Sequence, residues 1–106
     1  SGGQRQRASA LRAIVKHPSI LFADEPTGAL DSGSATDLLN TLKESNESLH
    51  TTILMVTHDA YAASFADRIL IFKDGCIIQE LLKQNADRRA FYESIAQTTA
   101  KLDTER

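Results

Sequence analysis

The sequence lacks tryptophan, holds one cysteine (Cys76) and one methionine (Met55), and contains no glycine-rich run ending in Gly-Lys-Ser or Gly-Lys-Thr. Each absence excludes something. A lone cysteine cannot close an internal disulfide, which fits a reducing compartment, and Cys76 is expected to be structural. Neither Cys nor His recurs at ligand intervals, so no zinc-type cluster is predicted. The apolar runs are strand-sized, too short to span a bilayer as a helix. Neither a signal peptide nor a lipidation motif is evident. Basic residues are dispersed among acids at a net charge of -2, leaving no stripe to follow a phosphate backbone, so nucleic acid is not an expected partner. The missing glycine-rich loop removes the usual cradle for a triphosphate. With the sole methionine at position 55, residue 1 does not read as an initiator, and the chain is expected to be a piece of a longer protein.

What is present is an ordinary globular composition, 42% hydrophobic and 25% charged, sized for one small domain at most. Gln4 to Lys16 predicts a helix with a partly apolar face from Ala8, Leu11, Ile14 and Val15, stopped by His17-Pro18. Ile20 to Ala23 is a continuous apolar run between Pro18 and Pro26, which predicts a strand covered on both faces. Asp31-Ser32 is placed to cap a second helix carrying Leu38, Leu39 and Leu42 and running into the polar stretch Lys43 to Glu47. Thr52 to Val56 predicts another buried strand, ending on Thr57-His58-Asp59, followed by a short helix from Ala60 to Ala66. Arg68 to Phe72 and Cys76 to Glu80 flank Asp74-Gly75, the dipeptide of a primed hairpin turn. Asp87 to Leu102 carries Phe91, Ile95 and Leu102 at roughly helical spacing, predicting a final helix with one docked face. Buried strands alternating with crossover helices imply an α/β fold with a parallel sheet, whose ligands bind beyond the carboxyl ends of the strands.

Asp24, Glu25 and His58 all fall at such ends. A strand-end carboxylate suits Mg²⁺, which takes oxygen ligands and is gripped by one carboxylate, waters and nucleotide phosphates; Asp24 is the candidate. Glu25 beside it, aimed elsewhere by the strand alternation, could deprotonate a water for attack on a γ-phosphate. An N-cap or surface ion pair is the plainer alternative for both, and the apolar strand before them with Pro26-Thr27-Gly28 after them weighs against it. Ser1-Gly2-Gly3 offers a hydroxyl and open backbone N–H groups at a helix N-terminus, a setting for phosphate, although such a tripeptide alone describes a capped turn. His58 could hydrogen-bond a phosphate or the attacking water through one ring nitrogen.

Taken together, these residues resemble the C-terminal half of an ATP-binding cassette (ABC) ATPase, a P-loop NTPase of RecA-like α/β fold, over nearly the whole chain. Ser1-Gly2-Gly3-Gln4 resembles the family signature motif without its leading leucine, with a signature helix in 1–17. Ile20 to Glu25 resembles the Walker B strand and Ala29-Leu30-Asp31 the D-loop, within 20–32. His58 resembles the switch histidine at the end of a strand in 51–59; the hairpin at 68–80 and a helix at 87–102 complete the expected partial domain. Phe22 to Ser32 is similar to cassettes of macrolide, lipoprotein and antimicrobial-peptide exporters. Thr57-His58-Asp59, Phe72 to Gly75 and Arg88-Arg89 with Phe91-Tyr92 resemble bacitracin-type peptide resistance transporters.

The resemblance implies two cassettes packed head to tail, an expected homodimer, with ATP and Mg²⁺ as cofactors and a transmembrane permease as partner at the cytoplasmic face of the plasma membrane. Glu25 and His58 would be catalytic, with Asp24 on Mg²⁺, toward the ATP bound by their own full-length chain. Ser1, Gly2, Gly3, Gln4 and Asp31 would reach the ATP held by the partner. The phosphate-loop strand is missing, so the 106 residues alone are expected to be inactive, with unpaired strand edges where that strand would lie. Soluble ABC ATPases acting on chromosomes, repair or ribosomes would bring coiled-coil insertions, tandem cassettes or basic arms, and none is seen. A non-catalytic or truncated ABC-type interaction module is the remaining alternative.

Overall fold

The structure, a computed structural model, describes residues 19–104; the expected signature helix, with Ser1, Gly2, Gly3 and Gln4, lies outside them. These residues divide into two compact units between His58 and Asp59. In the first, strand β1 (Ile20–Asp24), helix α1 (Ser32–Leu49) and strand β2 (Thr52–Val56) follow in order. The two strands pair in parallel, Ile20 opposite Thr52 through Asp24 opposite Val56, so α1 is the crossover that a parallel pair requires.

Helix α1 starts where Asp31 caps it, its carboxylate accepting the Ser34 N–H at 2.8 Å. It ends where His50 turns left-handed at φ 55°. Ala35, Leu38, Leu39, Leu42 and Ser45 are its buried residues, the i, i+3, i+4, i+7 stripe of a helix packed on one side, and α1 packs against β2. Asn46 ties the helix to the start of β2, donating to the Thr51 carbonyl at 2.8 Å.

The strands alternate rather than being covered throughout. Leu21, Ala23, Ile53 and Met55 are half-buried on one face, whereas Ile20, Phe22, Leu54 and Val56 on the other are 66%, 60%, 56% and 48% exposed. The expectation of strands buried on both faces is corrected here: α1 packs on one side, and the side chains of the opposite face are exposed.

The second unit holds a short helix α2 (Ala60–Ala63), strands β3 (Arg68–Lys73) and β4 (Cys76–Leu82), and helix α3 (Arg88–Thr104). Helix α2 stops three residues short of expectation. The Ser64 hydroxyl bonds back to the Tyr61 carbonyl at 2.6 Å, and the next N–H groups, of Phe65 and Ala66, reach carbonyls three residues back, tightening the turn. The hairpin turns at Asp74 and Gly75, both at positive φ (52° and 78°), as a primed turn requires. Ile78 is the extra residue of a β-bulge, since Ile71 pairs with Gln79 but Phe72 with Ile77. Helix α3 is capped by Asp87, which accepts the Ala90 N–H at 2.7 Å, and it buries Phe91 and Ile95 as expected. Arg88 at its start lies over the rings of Tyr61 and Phe65, 5.1 and 4.6 Å from their centroids, covering the small core around α2.

The strands form two separate two-stranded sheets, β1 with β2 and β3 with β4. The fold is α/β, with a parallel pair joined by a crossover helix, a hairpin and a final helix.

Candidate functional site

The carboxyl ends of β1 and β2 lie side by side, and what the chain does just past them builds the site. Glu25 continues the ladder through its N–H, 2.7 Å from the Val56 carbonyl, and then leaves it at φ 46°. Left-handed backbone at a residue with a side chain costs roughly 1–2 kcal/mol, so something must hold it there. Two successive turns follow, Gly28 N–H to Glu25 carbonyl and Leu30 N–H to Thr27 carbonyl, both at 3.1 Å, and they carry the chain to the Asp31 cap.

The Glu25 side chain reaches the end of β2. Its Oε2 accepts the Thr57 hydroxyl at 3.1 Å, its Oε1 accepts the His58 backbone N–H at 3.0 Å, and the same Oε1 lies 2.5 Å from His58 Nδ1. Burial pushes the Glu25 pKa up, but the bonds from Thr57 and His58, with the charge of a protonated His58, outweigh it and hold the carboxyl below its ordinary value. An ionised Glu25 requires the proton on Nδ1, which leaves Nε2 of a ring that is 92% exposed to meet an outside partner.

Asp24, the last residue of β1, is exposed and stands on the same strand face as Ile20 and Phe22. Among the described residues no cluster of three or more His, Cys, Asp or Glu side chains could hold a metal ion by itself. A single strand-end carboxylate does fit Mg²⁺, which completes its shell with water and phosphate oxygens. The Asp31 carboxylate caps α1. Of the residues singled out in the sequence, Glu25 and His58 are thus brought into contact, Asp24 sits beside them in the chain, and Ser1 to Gln4 lie outside the described residues. Thr57 was legible only as part of the strand end; its hint was a hydroxyl directly before His58.

No protein-family model matches the chain. Individual relatives do. The bacitracin export ATP-binding protein BceA of Halalkalibacterium halodurans is 55% identical over 102 residues, covering 96% of this chain and 40% of that protein. The macrolide export ATP-binding/permease protein MacB of Pasteurella multocida is 50% identical over 92 residues, 81% of this chain and 14% of that protein. Among solved structures, the dimeric post-hydrolysis state of the ATP-binding cassette MJ0796 bound to ADP and Pi matches at a TM-score of 0.74 and 41% identity, over 80% of this chain and 37% of that one. The chain therefore spans about two fifths of the length of a cassette protein such as BceA. Identity of this order across nearly all of its residues, with the same fold, shows that the chain is homologous to the ATP-binding proteins of ABC transporters over the stretch that it spans.

Proposed function

We propose that these 106 residues work as part of a longer ABC cassette that hydrolyses ATP to drive transport, with Glu25 as the general base. The observation that carries this is the Glu25 carboxylate held at the ends of two parallel strands by Thr57 and His58. In that role one Glu25 carboxylate oxygen accepts a bond from the attacking water. Glu25 takes a proton from that water as its oxygen bonds to the γ-phosphorus and the bond to the bridging oxygen breaks, releasing ADP and phosphate. His58, through Nε2, holds a γ-phosphate oxygen. Asp24 would hold Mg²⁺, which when bound would supply positive charge against the phosphates. Ser1, Gly2, Gly3, Gln4 and Asp31 serve the ATP of a second cassette, and MJ0796, dimeric in its structure, supports that arrangement.

The export of bacitracin in the name of BceA supports antimicrobial-peptide export or resistance as the work, with a transmembrane permease as partner and the cytoplasmic face of the plasma membrane as the place. No described helix is long and apolar enough to cross a membrane. The 106 residues alone, without a phosphate loop, neither bind ATP at physiological affinity nor hydrolyse it; turnover by the purified chain, abolished by Glu25→Gln, would refute that. The base role is tested by Glu25→Gln in the longer cassette: turnover falls by about 10²–10⁴ and an ATP-bound dimer accumulates. Unchanged turnover removes Glu25 from that role.

A further inference from the structure

We propose that Thr57 is a positioning residue for the hydrolytic step, fixing the plane of the Glu25 carboxylate through its hydroxyl. The proposal rests on Glu25 as the base. Both contacts from His58 converge on one oxygen, Oε1, so by themselves they act as a hinge about which the carboxylate can swing; the Thr57 hydroxyl holds the other oxygen, Oε2, at 3.1 Å. Two points fixed on different oxygens hold a plane where one does not.

The two donors also differ in permanence. The His58 ring is 92% exposed and open to a phosphate through Nε2, whereas Thr57 is half-buried, β-branched and stiff at χ1, and directly follows β2. Any shift of the imidazole toward a phosphate leaves the Thr57 hydroxyl and the His58 backbone N–H in place, one on each oxygen. The backbone of Glu25 is already bent to φ 46° to bring the side chain there, so the hydroxyl completes an alignment that the main chain has begun. Holding a base in its reactive orientation acts on the chemical step rather than on substrate binding.

The test uses the longer cassette carrying Thr57→Val, Thr57→Ser and Glu25→Gln, singly and with Thr57→Val added to Glu25→Gln. Thr57→Val keeps the side-chain volume and removes the bond; kcat falls about tenfold while the KM for ATP stays within about twofold, and Thr57→Ser recovers most of the loss. In the Glu25→Gln background Thr57→Val slows the residual rate no further, because the group it positions is gone. A wild-type kcat for Thr57→Val, a Thr57→Ser as slow as Thr57→Val, a rise confined to KM, or an equal slowing in both backgrounds each overturns the proposal. Failure of the base reading shows separately, as wild-type turnover by Glu25→Gln itself.

Discussion

His58 meets Glu25 twice on one oxygen, its backbone N–H 3.0 Å and its ring Nδ1 2.5 Å from Oε1. The backbone contact ties the end of β2 to the residue that follows β1, so the pair closes the mouth of the parallel ladder as well as presenting chemistry. With the side chain of Glu25 34% exposed, the ionic part of this contact is screened by water, and its worth lies mostly in orientation.

The same contacts give stability a pH dependence of definite sign. The carboxyl of Glu25 titrates lower in the folded chain than in the unfolded one, so its contribution is complete above the ordinary glutamate pKa of about 4.3 and is lost as pH falls through the lower folded value. In the nucleotide-free cassette, the melting temperature on the acid side of about pH 5 should fall less steeply for Glu25→Gln than for the wild type. Parallel curves for the two would show that the clamp contributes nothing to folding.

Asp31 is assigned two tasks that can be separated. As the N-cap of α1 it accepts the Ser34 N–H, and Asp31→Ala should cost about 1 kcal/mol in denaturant unfolding, whereas Asp31→Asn or Asp31→Ser caps nearly as well. If Asp31 also serves the ATP of a second cassette, the Asn variant should keep its stability yet lose turnover. Equal stability and equal turnover in Asp31→Asn would confine the residue to capping.

Leu39 is 1% exposed on the stripe of α1, and Leu49 at the end of the same helix is 42% exposed. Leu39→Ala should therefore cost about 2–5 kcal/mol in the cassette, and Leu49→Ala less than about 1 kcal/mol, read from urea midpoints. Because α1 packs against β2, the first change should also release the end of β2, visible as faster amide exchange at Val56 and Thr57. An effect of similar size at both leucines would deny α1 that role.

The features readable in advance were those with a local cause. The 3.6-residue stripe through Leu38, Leu39 and Leu42, the Asp31 cap and the Asp74-Gly75 turn each follow from neighbours a few residues apart, and the structure has all of them. Parallel pairing followed from two short apolar runs separated by a helix. The positive φ of Glu25 was not readable, since nothing in a glutamate announces left-handed backbone; tertiary contacts impose it. The Thr57 contact depends on register between residues 32 apart, and the Ile78 bulge on pairing inside the hairpin. The exposed strand face was misjudged for a related reason: an apolar run records which residues favour cover, and says nothing of whether a covering element is at hand.

That face makes a prediction about the 106-residue chain by itself. Phe22 and Leu54 are register partners on β1 and β2, both more than half exposed, and Ile20 and Val56 extend the same surface. Strand β2 has one hydrogen-bonded neighbour among the described residues, so an apolar face and an unpaired edge occur together. Such a surface recruits whatever can cover it, and for the purified chain that is another copy. Sedimentation should show self-association or aggregation at about micromolar concentration, as is usual for exposed apolar edges. Phe22→Glu combined with Leu54→Lys replaces the apolar cross-strand pair by opposite charges and should reduce that association, while the same double change in the longer cassette should destabilise it, where the face would be covered. A monodisperse chain that melts cooperatively as a monomer would show that this face tolerates water unaided.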